Sequence, residues 1–158
     1  MYKEAIKDAI SMHELPSKWK SDLLVEANKV TKKKKTAKYR KDLRNLPFAT
    51  IDGADAKDFD DAVYCIKNAI DYKLFVAIAD VSFYVELGSK LDNEAKKRGT
   101  SIYFPGTVIP MLPESLSNGI CSLRPNEDRC SMICEMTISS NGKRKKYKFY
   151  SGLINSKA

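Results

Sequence analysis

Five aspartates lie within ten residues of one another, in the stretch DGADAKDFDD at 52–61. The whole chain has 20 acidic residues against 28 basic ones, so this window holds a quarter of its acids. Carboxylates at this density repel each other, and partial burial makes each ionised group more costly. A divalent cation removes both problems, and the window therefore predicts a metal site. The five aspartates are Asp52, Asp55, Asp58, Asp60 and Asp61.

Oxygen ligands without nearby histidine or cysteine favour Mg²⁺ or Mn²⁺ and argue against zinc. An EF-hand calcium loop does not fit. Counted from Asp52, its turn-glycine position holds Lys57 and its terminal glutamate position holds Val63. A solvated acidic loop is the remaining alternative, but apolar residues such as Ile51 and Phe59 embed the window in core-forming sequence. Metal binding is the favoured interpretation.

Two divalent metals close together can hydrolyse a phosphodiester, because one activates water and the other stabilises the leaving oxygen. The formal net charge of +8 favours a polyanionic partner such as RNA or DNA. Together these features indicate phosphodiester cleavage in nucleic acid. Spacing and charge indicate nothing finer.

A sheet must position the aspartates, because strand-like segments follow one another from the acidic window onward. The last two flank Asn141-Gly142, a strong hairpin signal. Between the strands, residues 101–119 contain three prolines and two glycines, which predicts an irregular segment with one helical turn near Glu114. In an extended window, Asp58 and Asp60 would share one face. The predicted strands are 48–52, 62–66, 74–85, 130–139 and 145–154.

Residues 1–45 differ in character and predict a helical lead-in with a basic connector. An amphipathic helix is predicted at 3–12, and a second helix follows with Ser17 or Ser21 as its cap. The basic stretch 31–44 lacks apolar periodicity, which favours a solvated or disordered connector.

A further helix is predicted from Lys90 to Arg98, because Ser89 can cap its start and Gly99 can end it. The fold class is therefore α+β, a helical lead-in followed by a mixed or antiparallel sheet with short helices. No apolar run approaches the roughly 18 residues of a membrane span. The four cysteines are expected to be reduced thiols in a cytoplasmic protein.

Four segments, in the family's own order, resemble the ribonuclease II/ribonuclease R family and the start of its catalytic RNB domain. The details are nearer to bacterial ribonuclease R, particularly DGADAKDFDD and SIYFPGTVIPMLPESLSNG. The resemblance implies that residues 46–158 are the N-terminal portion of an RNB domain, truncated at the C-terminus, with 1–45 as lead-in. The segments are 46–64, 72–85, 99–123 and 128–139.

The resemblance implies a hydrolytic exoribonuclease that degrades single-stranded RNA from its 3′ end to nucleoside 5′-monophosphates, with Mg²⁺ as cofactor and Mn²⁺ as a substitute. Tyr103 matches a family tyrosine that stacks on the terminal base. Asp55 lies outside the family's set of catalytic and metal-site aspartates. In that set two members are direct ligands (Asp52 and Asp61), one helps to hold the metal (Asp58), and one is the most sensitive for chemistry (Asp60).

The family's RNA-binding OB-fold modules and the later half of its catalytic domain, with a catalytic arginine, find no match in this sequence. Such a guanidinium can raise the catalytic rate by roughly 10³-fold or more. We therefore expect the isolated chain to be weak or inactive although its parent is active. The alternatives are a catalytically silent RNA-binding or scaffold fragment, which the intact aspartates disfavour, and a non-nuclease metal protein.

Three other features have open roles. Asp80 either orients a metal ligand or RNA, or caps a turn, and the structural role is favoured. The basic runs Lys32–Lys35 and Lys143–Lys148 are candidate sources of salt-dependent RNA affinity.

Overall fold

The computed structural model describes residues 2–33, 38–53 and 56–158, so Asp55 and part of the run Lys32–Lys35 lie outside the described residues. The helices are α1 (Tyr2–Met12), α2 (Ser21–Val30), α3 (Val81–Tyr84) and α4 (Lys90–Arg98), with a π-helical segment at Ser115–Ile120. The strands are β1 (Lys41–Asp42), β2 (Asp61–Asn68), β3 (Asp71–Ala79), β4 (Ile102–Phe104), β5 (Thr107–Ile109), β6 (Asp128–Ile138) and β7 (Arg144–Asn155).

Five strands form one mixed sheet in the order β1-β7-β6-β3-β2. β1 runs parallel to β7 and the other neighbours are antiparallel, while β4 and β5 form a separate two-stranded hairpin. The turn between β6 and β7 contains Gly142 at φ 80°, a left-handed conformation that suits glycine. The predicted α+β class and the predicted long hairpin are both confirmed.

The sheet has one covered face and one bare face. On the covered face Phe75 and Ile133 pack into a core with residues of α2, α4 and the π-helical segment, among them Leu23 and Leu116. Burying each such side chain contributes about 1.5–3 kcal/mol. The bare face carries apolar side chains that remain exposed, including Ile78, Met132 and Phe149.

Helix α4 follows its predicted bounds. The Ser89 hydroxyl accepts a hydrogen bond from the Asp92 amide at 3.1 Å, and Gly99 ends the helix at φ 73°. The cap of α2 differs from the prediction, because Ser21 is already the first helical residue. Lys20 takes the cap position and makes no side-chain cap bond.

Two predicted strands are wrong in part. The segment 48–52 forms only one bridge to β2, because its backbone pairs instead with residues 157 and 158: the Lys157 amide donates to Phe48 and the Thr50 amide to Ala158, each at 2.7 Å. The strand predicted at 74–85 stops at Ala79, since the next residue caps α3. The segment 101–119 is also more regular than predicted, because it contains the β4–β5 hairpin.

The lead-in docks onto the rest of the chain. The Arg98 guanidinium lies 3.5 Å from the centre of the Trp19 ring and donates to the Lys18 carbonyl at 3.0 Å. The prediction of a solvated connector is wrong in part. Lys33 pairs with Glu86 at 2.8 Å, and the Arg40 side chain is buried. Among the described residues no helix is long and apolar enough to cross a membrane.

Candidate functional site

An extended segment leads from residue 56 into β2 and carries the central aspartates. The Phe59 side chain is partly buried against the core, so the neighbouring Asp58 and Asp60 alternate away from it. The Phe59 carbonyl accepts from the Leu123 amide and the Asp60 carbonyl accepts from the Ala79 amide, both at 2.9 Å. The acidic segment is therefore held between the end of β3 and residues 122–123.

Asp61 lies in the sheet itself, unlike Asp58 and Asp60, which belong to the extended segment before it. It is the first residue of β2 and lies opposite Ile78, which in turn lies opposite Met132. Residues directly opposite in antiparallel strands share a face. Asp61 therefore lies at the end of the bare face of the sheet, exposed to solvent.

Three of the predicted site aspartates lie close enough to the fourth, Asp60, to influence its pKa. Partial burial raises the pKa of Asp60, and the negative charges of Asp58, Asp52 and Asp61 raise it further. Each of these effects disfavours the ionised carboxylate. The structure thus places the other three residues that the resemblance selected within electrostatic range of Asp60.

The carboxylates are grouped but not closed into a ligand set. Within the part of the chain that the structure describes, no three acidic, thiol or imidazole side chains converge as metal ligands. The donor chemistry still fits a hard divalent cation, because the set consists of carboxylate oxygens whose mutual repulsion a cation would relieve.

The nearest thiol does not change that assignment. Cys121 is buried, and burial raises its pKa to about 12, with a further contribution from the charge of Asp60. A thiol with such a pKa stays protonated near neutral pH and is a poor metal ligand.

Tyr103 joins the acidic site from the separate hairpin. It lies in β4 with 65% of its surface exposed, and its hydroxyl donates to a carboxylate oxygen of Asp58 at 3.2 Å. Burial and the Asp58 charge raise the pKa of Tyr103, and the charge of Asp60 adds a smaller effect. The exposed ring offers a flat surface directly beside the aspartates.

Asp80 lies apart from this chemistry. Its carboxylate accepts from the Phe83 amide at 3.2 Å, the Ser82 hydroxyl at 2.7 Å and the Arg40 guanidinium at 2.6 Å. Only 6% of Asp80 is exposed. The favoured structural role is therefore confirmed: Asp80 caps α3 and pairs with a buried arginine.

The RNB domain family matches residues 40–158. The chain belongs to this family. Ribonuclease R of Escherichia coli is 52% identical to it over 157 residues, which are 98% of this chain and 19% of that protein. Ribonuclease R of Vibrio cholerae is 50% identical over 153 residues, 95% of this chain and 19% of that protein. The chain thus spans about a fifth of the length of these curated relatives.

Solved structures share the fold. RNase R of Mycoplasma genitalium in complex with double-stranded RNA matches 97% of this chain and 28% of its own, with a TM-score of 0.91 and 39% identity. Its complex with ribose-methylated single-stranded RNA matches with the same TM-score and identity. Yeast Ssd1, a pseudonuclease, matches 75% of the chain with a TM-score of 0.68 and 21% identity, which shows the fold alone.

Sequence reasoning missed one side chain that holds the acidic segment. Ser122 is 1% exposed, and its hydroxyl bonds to the backbone of the acidic segment. A serine between a cysteine and a leucine carries no local signal. Only the fold brings residue 122 beside residue 58.

Proposed function

We propose that this chain forms the acidic part of the active centre of an exoribonuclease, which hydrolyses single-stranded RNA from its 3′ end and releases nucleoside 5′-monophosphates. The observation that carries the proposal is the coupling of Asp60 to three further carboxylates, with the exposed Tyr103 ring beside them. Family membership and relatives named ribonuclease R support it.

The proposed cofactor is Mg²⁺, with Mn²⁺ as a substitute. The chemistry supplied by such a bound ion is activation of a water and neutralisation of charge at the scissile phosphate. In this proposal Asp52 and Asp61 contribute direct ligands, Asp58 helps to hold the site, and Asp60 is the residue on which chemistry depends most. Their mutual repulsion supports the assignment, since it disfavours four ionised carboxylates without a counter-charge.

Tyr103 is the proposed contact for the terminal base. Stacking of a base on an aromatic side chain is worth about 1–3 kcal/mol. The hydroxyl of the same tyrosine bonds to Asp58, so a stacked nucleotide would place its phosphodiester near the carboxylates. The surplus of 28 basic over 20 acidic residues favours binding of the polyanion.

A catalytically silent RNA-binding fragment is the alternative, and Ssd1 shows that a pseudonuclease can share this fold. Retention of all four aspartates favours the enzyme, because a silent site gains nothing from their repulsion. We expect the 158-residue chain alone to be weak or inactive, and the activity is proposed for the longer protein. Free cysteines are in keeping with a cytoplasmic, reducing location.

The test compares the full-length protein with its Asp60→Asn variant on 5′-labelled RNA in Mg²⁺. Wild type should shorten the RNA progressively from the 3′ end, and the variant should not. Asp71→Asn is the matched control, because Asp71 lies at the opposite end of the β2–β3 hairpin and pairs with Lys145. Equal cutting by wild type and Asp60→Asn would refute the proposed site.

A further inference from the structure

One buried hydroxyl brackets an aspartate of the proposed site. The Ser122 hydroxyl accepts from the Phe59 amide at 3.0 Å and donates to the Lys57 carbonyl at 3.0 Å. These two groups stand on either side of Asp58. The adjacent Leu123 amide donates to the Phe59 carbonyl at 2.9 Å. Three hydrogen bonds from two consecutive residues therefore fix the backbone of the segment that presents Asp58.

A buried guanidinium fixes Ser122 in turn. Arg129 is 3% exposed and belongs to β6, a central strand of the sheet. Its Nε donates to the Ser122 carbonyl at 2.6 Å, and its Nη2 donates to the Gly119 carbonyl at 3.3 Å. Nη2 also pairs with Glu127 at 2.7 Å. The chain of contacts runs from the rigid sheet through Arg129 and Ser122 to the acidic segment.

The acidic segment depends on this support, because its carboxylates repel one another. Ionised carboxylates two residues apart, such as those of Asp58 and Asp60, repel one another and favour conformations in which the segment spreads away from a common point. The Ala79 amide holds the Asp60 carbonyl from one side, and the Ser122 hydroxyl holds the segment from the other. Groups that orient metal ligands in this way commonly change metal affinity or activity by about 10–100-fold when removed.

We propose that Ser122, held by Arg129, is a positioning residue for the proposed metal site, which fixes the backbone of residues 57–59 so that Asp58 can help to hold the cation bound by Asp52 and Asp61. The inference rests on the function proposed above. It assigns Ser122 no contact with RNA or metal. Its effect should therefore appear in the Mg²⁺ requirement of the reaction rather than in RNA binding.

The experiment measures RNA hydrolysis by the full-length protein across a range of Mg²⁺ concentrations. Ser122→Ala should raise the Mg²⁺ concentration for half-maximal activity by about 10-fold or more, and saturating Mg²⁺ should recover much of the lost rate. Affinity for single-stranded RNA, measured without divalent metal, should stay unchanged. Ser122→Thr, which keeps the hydroxyl, should restore a Mg²⁺ requirement close to that of wild type.

Ser131→Ala is the matched control. Ser131 is another fully buried serine, but its hydroxyl has no partner among the described residues. An unchanged Mg²⁺ requirement in Ser122→Ala, or an equal shift in Ser131→Ala, would overturn the positioning role. Inactive Asp60→Asn together with a normal Ser122→Ala would refute this inference alone, whereas a fully active Asp60→Asn would refute the proposed function itself.

Discussion

Replacing Asp60 with asparagine should stabilise the metal-free chain while it removes the proposed chemistry. The raised pKa of Asp60 means that the folded state disfavours its ionised form, through partial burial first and then through three neighbouring carboxylates. The unfolded chain largely relieves both effects. Asparagine keeps the shape of the side chain and removes the charge, so the free energy of unfolding should increase.

The size of the stabilisation expected for Asp60→Asn depends on how far solvent screens the charges of the site. Two unit charges about 4 Å apart interact by about 1 kcal/mol in water and more strongly where the dielectric is lower. The Asp60 carboxylate is partly desolvated, but much of the residue remains exposed to solvent, which screens the repulsion. Among the described residues its three neighbouring carboxylates do not converge with it as metal ligands. We therefore expect a gain of about 1 kcal/mol, which corresponds to roughly 2–4 °C in Tm for a chain of this size.

The pH dependence has a definite sign. Because the folded pKa lies above the unfolded value of 3.8, the folded state binds more protons between those two values. The stability of wild type due to Asp60 therefore falls as pH rises through that window. The advantage of Asp60→Asn should be full at pH 7.5 in EDTA and should disappear below the unfolded pKa, where Asp60 is protonated in both states.

Thermal unfolding of the 158-residue chain, followed by circular dichroism, provides the assay. Excess Mg²⁺ should stabilise wild type more than Asp60→Asn, because a cation that binds only the folded state adds stability by mass action. Asp71→Asn should show no gain in EDTA, since it loses the pair with Lys145 instead. A variant Asp60→Asn that is less stable than wild type in EDTA at pH 7.5 would refute the electrostatic reasoning.

Three further perturbations test other parts of the structure. Arg40→Gln should lower the free energy of unfolding in urea by about 3–5 kcal/mol, because it leaves the buried Asp80 carboxylate without its cation; a loss below 1 kcal/mol would contradict the buried pair. In the full-length protein, Tyr103→Ala should weaken single-stranded RNA binding by about 1–3 kcal/mol, while Tyr103→Phe should keep most of the wild-type affinity. Equal losses of affinity in the two variants would assign the effect to the hydroxyl rather than to stacking. Lys146→Gln should reduce the slope of log RNA affinity against log salt concentration by about one unit. Lys145→Gln should change this slope less, because Lys145 already pairs with Asp71 at 2.8 Å. Identical slopes for Lys146→Gln and wild type would remove Lys146 from the RNA surface.

Several features of this protein could be predicted from the sequence alone, because they depend on local chemistry. The cap at Ser89, the stop at Gly99 and the hairpin at Asn141-Gly142 depend on contacts within a few residues, so short patterns identify them. The acidic window was equally visible, because five carboxylates in ten residues need a counter-charge wherever the chain places them. Resemblance to the RNB family then selected four of the five.

The tertiary structure decided what depends on residues distant in the chain. Residues 48–52 alternate like a strand, but their hydrogen-bond partners are residues 157 and 158. The strand predicted at 74–85 ends at Ala79 because Asp80 caps α3, and the capping carboxylate is paired with Arg40, forty positions away.

The proposed metal site shows the same division. Composition placed carboxylates at 52–61, whereas the fold placed Tyr103 on Asp58 and the Ser122 hydroxyl on the backbone around it. No periodicity in a sequence encodes the bonds from Ser122 to the backbone of Lys57 and Phe59, because they form only when the fold brings the two segments together. The sequence therefore specified the candidate ligands, and tertiary hydrogen bonds hold the backbone that presents them.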